Sequence, residues 1–74
     1  MVAWRHLSER EKQILKLAAD GAGSKETGSI LGITDATVKV HRKSLYRKMG
    51  AKNAPHAVAI AFRKGWFDEE KAAG

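Results

Sequence analysis

The feature that most constrains this chain is a basic segment, residues 33–50, with the sequence ITDATVKVHRKSLYRKMG. Near its start, Thr34 and Asp35 offer side-chain oxygens to the free N–H groups of a first helical turn. About four turns without Pro or Gly follow, and Gly50 then supplies the residue type that commonly follows a helix end. The segment therefore predicts a helix over residues 35–49.

The two sides of this predicted helix differ in character. At about 100° per residue, one narrow stripe is apolar and consists of Val38, Leu45 and Met49. Most of the opposite side is polar or basic, and it contains Ala36, Val40, Lys43 and Arg47, with Lys39 on its flank. We interpret the stripe as the edge that packs on the domain, and the basic side as a surface for a negatively charged partner.

The charges of the chain are segregated. The net charge is +6, but every acidic residue lies outside residues 36–67, a segment that carries +8, while the rest of the chain carries −2. A solvated surface normally mixes charges of both signs, so this segregation favours a polyanion as partner. Nucleic acid is the favoured polyanion, and anionic lipid is the alternative.

The composition excludes several other classes of protein. With 74 residues and no Cys, the chain suits one domain without disulfides or thiolate metal sites, and its three His are scattered. No apolar run is long enough to span a membrane, which favours a cytoplasmic protein without a membrane partner. The sequence shows no pair of carboxylates in a plausible cleft, no nucleophile–base pair and no phosphate-binding glycine loop. We therefore expect no enzyme, no metal and no cofactor.

The remaining sequence predicts an all-α fold, a compact four-helix domain with a central helix-turn-helix. The single domain spans residues 1–74, with helices at about 8–20, 25–31, 35–49 and 54–64 and a frayed acidic tail over 68–74. Ser8 and Glu11 have the spacing of a capping box at the first helix start. Gly28 predicts a very close helix crossing, and Gly32 predicts a tight turn before the long basic helix.

The last predicted helix is apolar nearly all round. We expect Val58, Ala61 and Phe62 to close the core, which leaves more apolar surface than a monomer needs. The sequence thus predicts a dimer contact at Ala57, Ile60 and Ala61. The alternative is that these small residues are simply exposed, as some apolar residues are in every protein.

Three stretches, LSEREKQILKLAADG, LGITDATVKVHRKSLYRKMG and AVAIA, together resemble the DNA-binding domain of LuxR/FixJ/GerE-type transcriptional regulators. The resemblance covers about residues 7–64. It implies four helices, of which the second and third form the helix-turn-helix and the fourth pairs two copies.

The resemblance also implies roles for residues of the basic helix. Its base-facing positions fall on Lys39, Val40 and Lys43, which suit guanine acceptors and a thymine methyl group. Phosphate contacts are expected from Thr37, His41, Arg42, Arg47 and Lys48. For His41, filling space on the packed side is the alternative. The sequence departs from the family pattern at Gly23-Ser24, at Thr27-Gly28 and at Ala54, which should loosen the second helix and remove one backbone contact.

The function predicted from these features is sequence-specific binding of double-stranded DNA by a bacterial transcriptional regulator. The chain would act as a homodimer on two half-sites about 34–36 Å apart, and RNA polymerase is a further possible partner. A different class remains open, a protein-interaction module of the transcription machinery with only incidental DNA affinity.

Overall fold

The computed structural model describes the backbone of residues 2–73 and the side chains of residues 2–69. A short 3₁₀ helix, Trp4–His6, precedes five α-helices: α1 Glu9–Ala19, α2 Ser24–Leu31, α3 Asp35–Met49, α4 Ala54–Arg63 and α5 Trp66–Ala73. The predicted all-α fold with a central helix-turn-helix is confirmed. None of the helices within residues 2–73 has the length and apolar character that crossing a bilayer requires.

Polar side chains satisfy the free N–H groups at the starts of α1 and α3. Ser8 Oγ accepts from the Glu11 N–H at 3.0 Å, and Glu11 Oε1 accepts from the Ser8 N–H at 2.9 Å, which confirms the predicted capping box. Thr34 Oγ1 accepts from the Thr37 N–H at 3.1 Å. At the other end of α3, Gly50 has φ of 69°, the left-handed conformation that terminates a helix.

Gly28 of α2 lies against the backbone of the turn that leads into α3. A Cβ atom at this position would lie 2.5 Å from the Ile33 carbonyl oxygen and 3.3 Å from the Asp35 amide nitrogen. The turn between the helices passes through Gly32, with φ of 72°, and the Ile33 N–H donates to the Gly28 carbonyl oxygen at 2.9 Å. A very close approach at Gly28 is therefore present, but it is to the turn backbone and the first residue of α3 and not to a helix that crosses α2.

The packed edge of α3 is the predicted apolar stripe. Val38 and Leu45 are completely buried and Met49 is half-buried. Leu45 packs in one cluster with Ile14 and Leu15 of α1, which are also completely buried. This packing holds one edge of α3 against the domain and leaves its other side in solvent.

Helix α4 buries part of the face predicted for the core, since Ala61 is completely buried and Val58 packs against the core cluster. Ala57 and Ala61, expected to form a dimer contact, have 0% exposure and lie in the core of the protomer, so this prediction must be corrected. Phe62, expected to close the core, is 77% exposed. The core cluster contains Ala57 and Ala61 together with Ile14 and Leu15 of α1, whereas Phe62 borders a surface groove beside Ala18.

The C-terminal segment is helical where a frayed acidic tail was predicted over 68–74. Trp66 is buried, with its ring centroid 6.0 Å from that of Trp4, and the Phe67 ring lies 6.3 Å from Trp4. These aromatic contacts anchor the first turn of α5, and Asp68 and Glu69 lie in that turn, where negative charge favours a helix. Residue 74 lies outside the described residues.

Candidate nucleic-acid interface

One side of α3 is exposed along most of its length. All three predicted base contacts, Lys39, Val40 and Lys43, lie on it, and Val40 is 67% exposed. Val40 and Lys43 line a shallow groove together with Ser44 and Arg47. The surface therefore combines cationic donors with one apolar side chain, the combination that suits guanine acceptors and a thymine methyl group in the major groove.

The start of α3 is polar and carries an ion pair. Thr37 is exposed, and its Oγ1 lies 2.9 Å from the Thr34 Oγ1, so that both hydroxyls sit at the tip of the helix. Lys39 Nζ lies 3.9 Å from Asp35 Oδ2, one turn back along the helix. The tip thus presents two hydroxyl groups, hydrogen-bonded to each other, beside a lysine that is partly compensated by a carboxylate.

Arg42 is bound within the protomer. Its Nη2 donates to the Ala22 carbonyl oxygen at 2.9 Å, which ties α3 to the loop between α1 and α2. Arg42 Nε and the Tyr46 hydroxyl are buried without a hydrogen-bond partner among the described residues. Burial raises the pKa of Tyr46, while the positive charge of Arg42 opposes that rise. Arg42 therefore supports the position of α3, and its predicted phosphate contact stays a prediction.

Lys48 also has an internal partner. Its Nζ donates to Glu11 Oε1 at 2.9 Å, and the Glu11 side chain is only 6% exposed. Burial alone raises the pKa of Glu11, but the hydrogen bonds from Ser8 and Lys48 and the charge of Lys48 outweigh it, so the pKa is lowered. Lys48 thus neutralises a buried carboxylate, and its predicted phosphate contact stays a prediction.

The other two predicted phosphate contacts differ in exposure. Arg47 is exposed at the C-terminal end of the basic face, and His41 is half-buried toward the packed side of α3. Both assignments stay predictions. Six of the eight predicted DNA contacts are exposed on α3, and these six are Thr37, Lys39, Val40, Lys43, Arg47 and Lys48.

Two supporting contacts were missed by reasoning from the sequence. The Lys48–Glu11 and Arg42–Ala22 contacts join residues 37 and 20 positions apart. Helical periodicity relates only residues within one helix, so nothing in the pattern could identify these partners. The sequence signal for Glu11 was its place in the capping box, which accounts for the hydrogen bond from the Ser8 N–H but not for the one from Lys48.

Residues 5–61 match the family described as "Bacterial regulatory proteins, luxR family". Over 60 residues the chain is 42% identical to the transcriptional activator protein PhzR of Pseudomonas fluorescens. The aligned region covers 81% of this chain and 25% of PhzR. It is also 42% identical over 60 residues to the transcriptional regulatory protein FixJ of Rhizobium meliloti, covering 81% of this chain and 29% of FixJ.

A third relative is the transcriptional regulatory protein DesR of Bacillus subtilis, with 38% identity over 61 residues, 82% of this chain and 31% of DesR. The chain therefore spans about a quarter to a third of the length of these relatives. No solved structure matches it. The family is one of regulatory proteins and not of enzymes. Because the match includes the whole helix-turn-helix, the chain belongs to the luxR family of bacterial regulatory proteins.

Proposed function

We propose that this chain binds double-stranded DNA sequence-specifically, as the DNA-binding domain of a bacterial transcriptional regulator, with α3 in the major groove. The observation that carries the proposal is the division of α3 into a buried apolar edge and an exposed basic face. A helix held along one edge can enter a groove of about 12 Å width with its other side free. The relatives are named as transcriptional regulators and activators, which supports the same function.

Within this proposal the residues of α3 divide into two roles. Lys39 and Lys43 donate to guanine N7 or O6, and Val40 contacts a thymine methyl group. Thr37 and Arg47 bind phosphates at the two ends of the exposed face. His41 is a further candidate for a phosphate contact. Phosphate contacts supply affinity and register, whereas base contacts supply the choice of sequence.

Selection of binding sites from a random DNA pool, followed by titration of variants, tests this function. Lys43→Ala should weaken binding to the selected site by about 1–3 kcal/mol and relax the preference at one base pair. Arg5→Ala is the matched control, because Arg5 is an exposed cation outside α2 and α3. If no sequence is enriched, or if the two variants behave alike on selected and random DNA, the proposed role of α3 is refuted.

The dimer contact, as we now propose it, is the exposed apolar face of α4 and not Ala57 and Ala61. Phe62 borders a groove of about 500 Å³ lined also by Pro55, Val58 and Ala59. Burying a phenylalanine that is 77% exposed would favour association of two copies on adjacent half-sites. Ile60, half-buried on the same helix, remains a candidate for the edge of that contact.

Phe62→Asp should leave binding to a single half-site unchanged and weaken binding to a two-half-site operator. Ile30→Asp is the matched control, since Ile30 is a 58% exposed apolar residue on α2. Sedimentation and titration on DNA with one or two half-sites provide the measurement. Equal effects of the two substitutions on the two-half-site DNA would rule out pairing through α4.

A further inference from the structure

Asp35 is the one acidic residue of α3 and stands at its first position. Its Oδ2 lies 3.9 Å from Lys39 Nζ, and the two side chains are 39% and 68% exposed. Lys39 is at the same time one of the proposed base contacts. A carboxylate at the tip of an otherwise basic surface opposes phosphate binding.

The pair affects two kinds of DNA contact differently. Attraction between Lys39 and the phosphate backbone is long-ranged, and a neighbouring negative charge largely cancels it at a distance. A hydrogen bond to guanine N7 or O6 depends instead on an ammonium hydrogen at contact distance, and Lys39 keeps donors that do not face Asp35. The carboxylate therefore weakens the attraction to phosphates, which DNA of every sequence offers, more than it weakens the hydrogen bond to a guanine.

We propose that Asp35 is a specificity-determining residue that acts through Lys39. Its carboxylate restrains Lys39 on non-cognate DNA and lowers the affinity for phosphates of any sequence, while the contact with the cognate base is kept. The inference rests on the proposed function, since it assumes that α3 lies in the major groove. Asp35 is a positioning residue here and needs no contact with a base.

A purely structural role for Asp35 makes a different prediction. An acidic residue in the first turn interacts favourably with the helix dipole, so its removal would lower stability and leave the discrimination between DNA sequences unchanged. The ratio of affinities for selected and random DNA therefore distinguishes the two roles, and thermal unfolding reports the structural one separately.

The test compares Asp35→Asn with Glu9→Gln, measuring affinity for the selected site and for random DNA over a range of salt concentrations. Glu9 is a matched control, since it is an exposed carboxylate 3.5 Å from Lys12 in the first turn of α1. Asp35→Asn should tighten binding to random DNA by about two- to fivefold at low salt, and steepen its salt slope by up to about 0.9. Its selected-site affinity should change less, so the specificity ratio falls. Glu9→Gln should leave that ratio unchanged.

A second comparison, in a Lys39→Met background, tests whether the effect passes through Lys39. There, Asp35→Asn should no longer change the specificity ratio. If Asp35→Asn lowers the specificity ratio equally in both backgrounds, the inference is overturned. It is also overturned if the wild type selects a defined sequence and Asp35→Asn leaves the ratio unchanged in that background. If the wild type selects no sequence at all, the proposed function has failed, which is a distinct result.

Discussion

Replacing Lys48 by Ala provides the sharpest test of how α3 is held. Lys48 Nζ lies 2.9 Å from Glu11 Oε1 and joins the last turn of α3 to the first turn of α1. Among the described residues, the variant leaves the Ser8 N–H as the one hydrogen-bond donor to the Glu11 carboxylate, whose side chain is 6% exposed. We expect lower stability, because a buried charge then lacks its countercharge.

The magnitude follows from the burial of the two partners. Removing one partner of a fully buried pair costs about 3–5 kcal/mol, and a fully exposed pair is worth about 0–1 kcal/mol. Glu11 is buried, but the Lys48 side chain is 43% exposed, so solvent screens the pair from one side. We therefore expect a loss of about 1–2 kcal/mol, which corresponds to a fall in Tm of about 5–15 °C for a domain of this size.

The assay is a double-mutant cycle with Glu11→Gln, followed by urea unfolding with tryptophan fluorescence. Glu11→Gln keeps an oxygen that can accept from Ser8 but removes the charge, so Lys48→Ala should cost little in that background. A coupling energy of at least about 1 kcal/mol is expected. A value below about 0.3 kcal/mol would show that Lys48–Glu11 is an ordinary surface pair and would refute the reasoning.

The same pair predicts a pH dependence with a definite sign. The pKa of Glu11 is lowered in the folded protein, so its stabilising contribution is present above the ordinary glutamate pKa and is lost as the pH falls through the lowered value. The stability difference between wild type and Lys48→Ala should therefore shrink on acidification, because protonated Glu11 needs no cation. A difference that stays constant from neutral pH to about pH 3 would contradict this assignment.

Three further predictions concern packing. Thr27 is completely buried and its Oγ1 has no hydrogen-bond partner among the described residues. Thr27→Val should therefore raise the free energy of unfolding by about 1 kcal/mol, measured by urea unfolding, whereas Thr27→Ser should lower it. Gly28→Val should cost about 1–3 kcal/mol or more, since even a Cβ at this position meets backbone; a neutral result would mean that α2 and α3 separate freely. Trp66→Ala should cost about 3–5 kcal/mol and alter the near-UV signal of Trp4, and an unchanged signal would argue against docking of α5.

The sequence predicted local structure well where one residue type has one physical use. Ser8 and Thr34 were recognisable as N-caps, and Gly50 as a C-terminal stop, because each satisfies or permits backbone geometry within one turn. The stripe and the basic face of α3 followed from helical period alone. The family was also recognisable from the residues of this helix and of α1, since both contribute specific motifs.

Helix α4 shows where this kind of reasoning stops. Its sequence is apolar nearly all round, so periodicity could not say which side faces α1. Only the packing of α4 in the folded domain decides the matter, and it buries Ala57 and Ala61 and leaves Phe62 exposed. The docking of α5 on Trp4 is of the same kind, because the aromatic partners are far apart in the chain.

The sequence by itself determined that this chain has a helix with one apolar edge and one basic face, and that the helix belongs to a luxR-type helix-turn-helix. The tertiary structure decided which cations of α3 bind partners in other parts of the protomer. In the sequence, Arg42 and Lys48 look like the other basic residues of α3. In the structure, Arg42 donates a hydrogen bond to the Ala22 carbonyl oxygen, and Lys48 donates one to the Glu11 carboxylate. The physical reason is that capping and periodicity act within a turn or a helix, whereas burial and ion pairing depend on residues that only folding brings together.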